Sequence, residues 1–528
     1  MPHSTRARHK SALMLAVVVA SAAALVATSL STPAQASAPS AQAGTTTTTT
    51  SKTSKAGKHD RAWRAHAALV RAQKAFSPAT PAKERPDATL ALRKLWLLKD
   101  SLSPAERAAA EKLASRPDKP ANTGAADPNI LVHYDPAEIN PAAFDANTAL
   151  ATLKNVADTY AGSGYRRPKP DKGRGGDDRI DIYLDTLPAG LYGYCTTDQS
   201  IKSTATKFDV WAFCVLDNDY AGFPPQHTPL QNLQVTAAHE YYHATQFAYD
   251  IADDGWFLEA TATWAEDELY DSVDDNYQYL RNSPITKPGR PIDKFESNGT
   301  FHYGVWIFFR YLTEHYPAKT GAMPTLLLQM WQNADSSKGP RKDLFSVQAI
   351  NKALKKVGHT SLAAQFAAFS AATPFPTSFS EGAGEATHPA YPSKKLSGSA
   401  ALGAHKKKNF KAKLDHLSSA TYEFVPGGGT SKLKLRFKMA PKSHGSRAVV
   451  VVVSTTGAIL QTKNIKVNRR GVAGKKVLFD ATVGKVQVTL VNASSNVFDC
   501  YRHTNNPISC SGKARFDNQR ALLNAKAA

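Results

Sequence analysis

The stretch Val235-Thr236-Ala237-Ala238-His239-Glu240-Tyr241-Tyr242-His243-Ala244-Thr245-Gln246-Phe247 constrains this chain most, because its polar residues make a site only if it is helical. On a helix His239 and His243 project from one face, one turn apart, close enough for both imidazoles to reach a single zinc ion. Glu240 then stands beside the ion rather than on it. A carboxylate there can take the proton of an attacking water and deliver it to a leaving amine. Five residues alone are a modest signal, so context has to support them. A catalytic metal needs a third protein ligand and an open position. The next run, Trp256-Phe257-Leu258-Glu259-Ala260-Thr261-Ala262-Thr263-Trp264-Ala265-Glu266-Asp267, sets Glu259 and Glu266 on one face of a second helix, which Asp253-Asp254 would cap. The rival reading makes His239 and His243 core histidines packed by Tyr241, Tyr242 and Phe247. It leaves the convergent acids unexplained and two buried rings short of hydrogen-bond partners.

The two runs together, His-Glu-x-x-His and then Trp-x-x-Glu-Ala-x-Ala-x-Trp-x-Glu, resemble the gluzincin metallopeptidases, in particular the aminopeptidase-like branch and the secreted bacterial zinc metallopeptidases within it. The resemblance covers residues 180–316. It implies a zincin-like catalytic domain with one zinc ion on His239, His243 and Glu259, Glu240 as general base, and Glu266 supporting a ligand histidine. It also implies a tyrosine at the start of a later helix that stabilises the oxyanion. Here Phe301-His302-Tyr303-Gly304-Val305-Trp306 opens a helix reaching Tyr316, so Tyr303 takes that role, with His302 as the substitute. The competing role for Tyr303 is an aromatic anchor in the core. The strand Ile180 to Leu184 resembles the edge strand that pairs with extended substrate. Ala260 replaces the family's glycine, the interval from His243 to Glu259 is short, and no Gly-x-Met-Glu-Asn motif precedes the helix. An endopeptidase acting on peptide or protein is therefore expected rather than an aminopeptidase. Neither a Gly-x-Ser-x-Gly elbow nor a cysteine placed as a nucleophile offers another route.

Arg6, Arg8 and Lys10 precede an apolar run from Ala12 to Leu30 and then Ala34-Gln35-Ala36, the pattern of a cleaved secretory signal over residues 1–36. The run is broken by Ser21, Thr28 and Ser29 and no comparable stretch follows, so the mature chain is expected outside the cell with no stable membrane span. In an exported chain four cysteines suit two local disulfides, Cys195 with Cys214 and Cys500 with Cys510, out of three possible pairings. Residues 37–60, with the Thr45–Thr50 run, read as a disordered spacer. Residues 61–128 read as two or three amphipathic helices, one starting at Ser103-Pro104-Ala105-Glu106, and form either a pro-segment or an N-terminal subdomain.

The expected class is α+β. A zinc peptidase domain spans 129–375, with a helix near Ala149 to Tyr160, and a linker spans 376–400. An all-β, sandwich-like domain spans 401–528, with strands at Leu433–Phe437, Ala448–Ser454, Ala458–Gln461, Val477–Phe479 and Val486–Val491 and turns at Gly427-Gly428-Gly429 and Gly471. Calcium is weighed at Asp177, Asp178 and Asp181, at Asp217-Asn218-Asp219 and at Asp274-Asp275-Asn276. All lack the spacing of a calcium loop, which favours solvated turns or caps.

The net charge of +21 is unevenly placed. Residues 400–528 hold 23 Lys and Arg against 5 Asp and Glu, whereas residues 195–316 hold 7 against 18. A basic module beside an acidic one suits an anionic cell-wall polymer as partner. Nucleic acid is disfavoured, because the chain reads as exported and no motif interleaves aromatic with basic residues. The alternative to a peptidase is a surface- or wall-binding protein whose zinc site is structural or inactive. A fourth protein ligand would mark that case.

Overall fold

The N-terminal helix signals become three helices in the computed structural model, which describes residues 52–201, 205–384, 389–501 and 506–528. The expected signal and the spacer up to residue 51 lie outside these, whereas residues 52–60, read as disordered spacer, are helical. The helices are α1 (Lys52–Phe76), α2 (Ala88–Leu98) and α3 (Pro104–Leu113). Ser103 and Glu106 start α3 with a reciprocal capping box, the Ser103 amide donating to the Glu106 carboxylate at 3.0 Å. Leu69, Leu92 and Leu95 of this segment bury against Tyr183, Tyr194, Phe213 and Val215 of a sheet.

That sheet has five strands: β1 (Ala121–Asn122), β2 (Ile130–Tyr134), β3 (Ile180–Asp185), β4 (Gly193–Thr196) and β5 (Phe213–Asp217), in the order β1-β2-β3-β5-β4. β2, β3 and β5 run parallel, and α4 (Ala146–Gly162) lies in the crossover between β2 and β3. The strand expected at an edge, Ile180 to Leu184, is instead β3 in the middle of the sheet. Its five residues are all buried, as an internal parallel strand requires. The edge belongs to β4, antiparallel to β5, with Cys195 opposite its disulfide partner Cys214.

Two helices pack together beside this sheet. α5 (Pro229–Asp250) starts on a capping box between Thr228 and Gln231, with Pro229 at its first turn, and is buried on nearly all sides. α6 (Gly255–Leu269) follows after four residues, and Ala237, Ala238, Ala244, Ala260, Ala262 and Ala265 are all fully buried. Asp254 stands at the N-cap of α6, but its carboxylate does not cap the helix. It accepts from the Ser346 hydroxyl at 2.5 Å and the Cys510 amide at 2.6 Å. The helix expected from Phe301 to Tyr316 is interrupted at Val305, giving α7 (Phe301–Gly304) and α8 (Trp306–His315). The hairpin β6 (Lys319–Thr320) and β7 (Met323–Pro324) leads to α9 (Thr325–Asn333), α10 (Ser346–Val357) and α11 (Leu362–Ala372). The segment read as a linker is not free chain, since Phe379 and Tyr391 are buried in the helical core.

The C-terminal strands are β8 (Gly398–Leu402), β9 (Lys407–Leu414), β10 (Ser418–Pro426), β11 (Lys432–Lys438), β12 (Ser446–Ser454), β13 (Ile459–Ile465), β14 (Val472–Leu478), β15 (Val483–Asn492), β16 (Val497–Phe498), β17 (Lys513–Ala514) and β18 (Gln519–Ala527). They make a five-stranded sheet, β13-β12-β15-β10-β8, and a four-stranded sheet, β14-β11-β18-β9, besides the small β16-β17 pair. Val450, Val452, Val488 and Leu490 meet Leu433, Leu435, Phe437 and Leu523 between the two sheets. The other face of β12 and β15, with Val449, Val451, Val453 and Val491, joins the helical core. Burial on both faces explains the unbroken apolar run Ala448–Val453. At this junction His416 bonds Asp293 at 2.8 Å, and the Trp256 indole of α6 donates to Ser509 at 3.3 Å. The chain is thus α+β with helices and several sheets, and Lys55–Ala528 pack as one unit.

Candidate metal centre

α5 and α6 bring three donor groups to one point. His239 Nε2 lies 3.0 Å from His243 Nε2 and 3.2 Å from Glu259 Oε2, while His243 Nε2 lies 3.4 Å from Glu259 Oε1. The short interval before Glu259 suffices, because only Ile251 to Asp254 separate the helices. The opposite end of each ring is already engaged. His239 Nδ1–H donates to Glu266 Oε1 at 2.5 Å, and His243 Nδ1–H donates to Gln246 Oε1 at 2.7 Å. The Gln246 amide is oriented in turn by donating to the Leu258 carbonyl and Thr261 hydroxyl. With both Nδ1 protons committed, the Nε2 lone pairs and the Glu259 carboxylate face one another. Three converging lone-pair donors, 12%, 1% and 0% exposed, repel unless a cation joins them. Glu259 Oε1 is buried without a hydrogen-bond partner, which fits that requirement. Tetrahedral ligands at zinc distances stand about 3.3–3.4 Å apart, close to the spacings found. The residues present therefore fit a small metal ion.

The electrostatics agree with this. Burial lowers the proton affinity of His239, but Glu259 and Glu266 outweigh it and raise the group well above its ordinary value. Burial would raise Glu259, yet His243 and His239 hold it below the usual carboxylate range. The centre thus favours a positive charge beside an ionised Glu259. Glu240 is no part of the triangle. Burial, only partly offset by the two histidines, pushes its carboxyl up to about 7, the range of a group that both accepts and returns a proton. Burial likewise pushes Glu266 up to about 7.

The centre opens into a cleft of about 330 Å³, walled by the start of α2, the approach to β4, α5, Tyr279 and Tyr303. Its size is at the small end of ligand sites. Tyr303 lines the same cleft, with its ring 6.1 Å from that of His239 and stacked on Tyr279 at 4.8 Å. Its hydroxyl donates to Asp87. The Thr89 hydroxyl donates to Glu240 Oε2 at 3.3 Å and accepts from the Cys195 amide of the edge strand at 3.0 Å. His302 is buried, its Nδ1 accepting from the Glu296 amide at 3.4 Å, and burial pushes it down to about 4. Sequence reasoning missed Asp87, Thr89 and Gln246. Only Gln246, one turn beyond His243 on the same helix, carried a signal.

The other sequence candidates sit elsewhere. Asp177 pairs with Arg179 at 2.8 Å, Asp178 accepts from the Gly173 amide, and Asp181 holds Arg116 and His133. Asp217 accepts from the amides of Leu187, Asp219 and Tyr220. These acids are thus taken up by arginines and turn amides rather than gathered for calcium. Among the described residues one further group could hold a metal, Asp267 with Asp271 and Glu381, but Arg310 already lies among them. Both expected disulfides form, Cys195 with Cys214 and Cys500 with Cys510. No helix among the described residues is long and apolar enough to cross a membrane.

No family model matches the chain, and no curated protein matches it. Among solved structures it is similar to accessory secretory protein 1, 2 and 3 of Streptococcus pneumoniae at 12% identity, covering 23% of this chain and 80% of that one, with a TM-score of 0.15. It is also similar to the pre-peptidase C-terminal domain of collagenase from Bacillus anthracis, at 10% identity over 25% and 99% of the two chains and a TM-score of 0.15. A third is PliG of Aeromonas hydrophila, a periplasmic inhibitor of g-type lysozyme, at 11% identity over 24% and 96% and a TM-score of 0.14. Such scores carry no argument about this chain.

Proposed function

We propose that this chain is an exported zinc-dependent peptidase of the gluzincin type, acting as an endopeptidase. One observation supports this above the others: His239, His243 and Glu259 converge on a single point with Glu240 beside it and a cleft in front. A zinc ion held there supplies Lewis acidity toward a peptide carbonyl and the water that attacks it. Glu240 takes the proton of that water and returns it to the amine that leaves. Glu266 and Gln246 keep the two imidazoles turned toward the centre. Tyr303 donates to the oxygen that gains charge, once a substrate displaces its bond to Asp87.

We read residues 61–128 as an integral subdomain rather than a removable pro-segment. Arg93 of α2 donates to the Ile251 and Asp253 carbonyls in the turn joining the two site helices, and Thr89 bonds both Glu240 and the edge strand. The rival function, a binding protein with a structural or inactive zinc site, draws support from those covering contacts and from Asp87 beside Tyr303. The test is zinc content and casein hydrolysis by purified protein, with and without a chelator and beside Glu240→Gln. Stoichiometric zinc in both proteins, with chelator-sensitive cleavage only in the unaltered one, is expected. Cleavage retained in Glu240→Gln would sink the mechanism, and zinc without cleavage would favour the structural site.

A further inference from the structure

Like charges directly opposite one another on neighbouring strands destabilise a sheet. The outer face of the four-stranded sheet breaks this rule along an entire row. Lys476 of β14 pairs with Lys434 of β11, Lys434 with Lys526 of β18, and Lys526 with Lys407 of β9. Four lysines thus cross the sheet in register. The same face carries Lys432, Arg436, Lys438, Lys411, Lys413 and Arg520, all exposed, and not one acidic or aromatic side chain. None of these cations has an ion-pair partner among the described residues. The face is free of the helical core, which packs on the other sheet through Val449, Val451 and Val491. Folding gives no reason for this arrangement, since threonine in the same positions would pair favourably.

We propose that this face is a docking surface for a linear, base-free phosphodiester polymer. Its charges form a lattice with about 4.8 Å between strands and about 6.8 Å between alternate residues of one strand. A flexible chain with one anion per repeat can lie across it and meet a cation at each step. Lysine supplies compact point charges that suit phosphate oxygens without demanding a fixed orientation. The lack of any aromatic side chain removes the stacking platform that single-stranded nucleic acid uses.

The test uses the full chain and poly(glycerol phosphate), with binding measured at several salt concentrations. The variant Lys407→Gln/Lys434→Gln/Lys476→Gln/Lys526→Gln should bind at least about tenfold more weakly near 50 mM salt, and the slope of log K against log salt should shrink by about 3. Its melting temperature should hold or rise, because the repulsion is gone. A control, Lys342→Gln/Lys352→Gln/Lys355→Gln/Lys356→Gln, removes the same charge around α10 and should stay within about twofold of the unaltered chain. Equal weakening by the control would reduce the effect to net charge and overturn the proposal. So would absence of binding near 50 mM salt, tighter binding to oligo(dT) than to the base-free polymer, or a preference for anionic lipid vesicles.

Discussion

Gln246 offers the sharpest test of the centre, because it touches the metal position only through a histidine. Its side-chain oxygen takes the His243 Nδ1 proton at 2.7 Å, and its amide donates at 2.9 Å to Leu258 and 3.0 Å to Thr261. In Gln246→Leu the α6 partners lose little. The Thr261 hydroxyl still donates to the Phe257 carbonyl at 2.7 Å, and the Leu258 carbonyl lies within the helical ladder. The loss falls on His243, whose buried N–H is orphaned at a cost of about 1–3 kcal/mol and whose ring is free to turn. Removing such an outer partner weakens metal affinity roughly 10–100-fold, or about 1.4–2.7 kcal/mol. Gln246→Glu keeps the acceptor and should recover most of that loss. Zinc affinity by competition with a chromogenic chelator, beside the melting temperature of the metal-free protein, separates orientation from folding. If Gln246→Leu binds zinc within about twofold of the unaltered chain and folds normally, the two histidines are not a metal pair held in this way.

Three further predictions follow from other parts of the molecule. Tyr303→Phe should keep zinc and the KM for a peptide substrate while lowering kcat roughly 10²–10³-fold; an unchanged kcat would reduce Tyr303 to an aromatic anchor. For His416, burial is outweighed by Asp293 and Asp517, which raise the ring to about 10. A raised folded-state value contributes stability that is complete below the ordinary histidine value near 6.5 and is lost as pH rises toward 10. The unfolding free energy of the unaltered chain should therefore fall by a few kcal/mol relative to that of His416→Gln between about pH 7 and 10, and parallel urea-unfolding profiles would refute this. Deleting residues up to 113 should abolish zinc retention and cooperative unfolding, since α2 holds the turn between α5 and α6; a folded, more active product would instead make that segment a removable inhibitor.

The site was legible where its parts share a helix. A period of 3.6 residues puts His239 beside His243 and Glu259 beside Glu266, and one short connection leaves the two pairs little choice but to face each other. β3 was misplaced because the resemblance alone put it at an edge; in the middle of the sheet Asp181 is buried too, held by Arg116 and His133, partners that sequence spacing does not reveal. In the sandwich, β11 reads cleanly as exposed lysines alternating with Leu433, Leu435 and Phe437, but β9, at the edge of the same sheet, and β18, between β9 and β11, carry a weaker alternation and escaped notice.

Asp87 and Thr89 lie about 150 residues before Glu240, and no periodicity connects them. They reach the centre because α2 is pinned at its middle, by Arg93 on the Ile251 and Asp253 carbonyls, and in its last turn, by the Trp96 indole on the Gln199 carbonyl at 2.7 Å. A helix fixed in this way presents its first turn to the cleft whether or not substrate is present. Its Asp87 then competes for the phenol of Tyr303, and its Thr89 for the carboxylate of Glu240. On the proposed reading a substrate exchanges those two bonds for its own, so the groups that bind it are also those that shape the cleft.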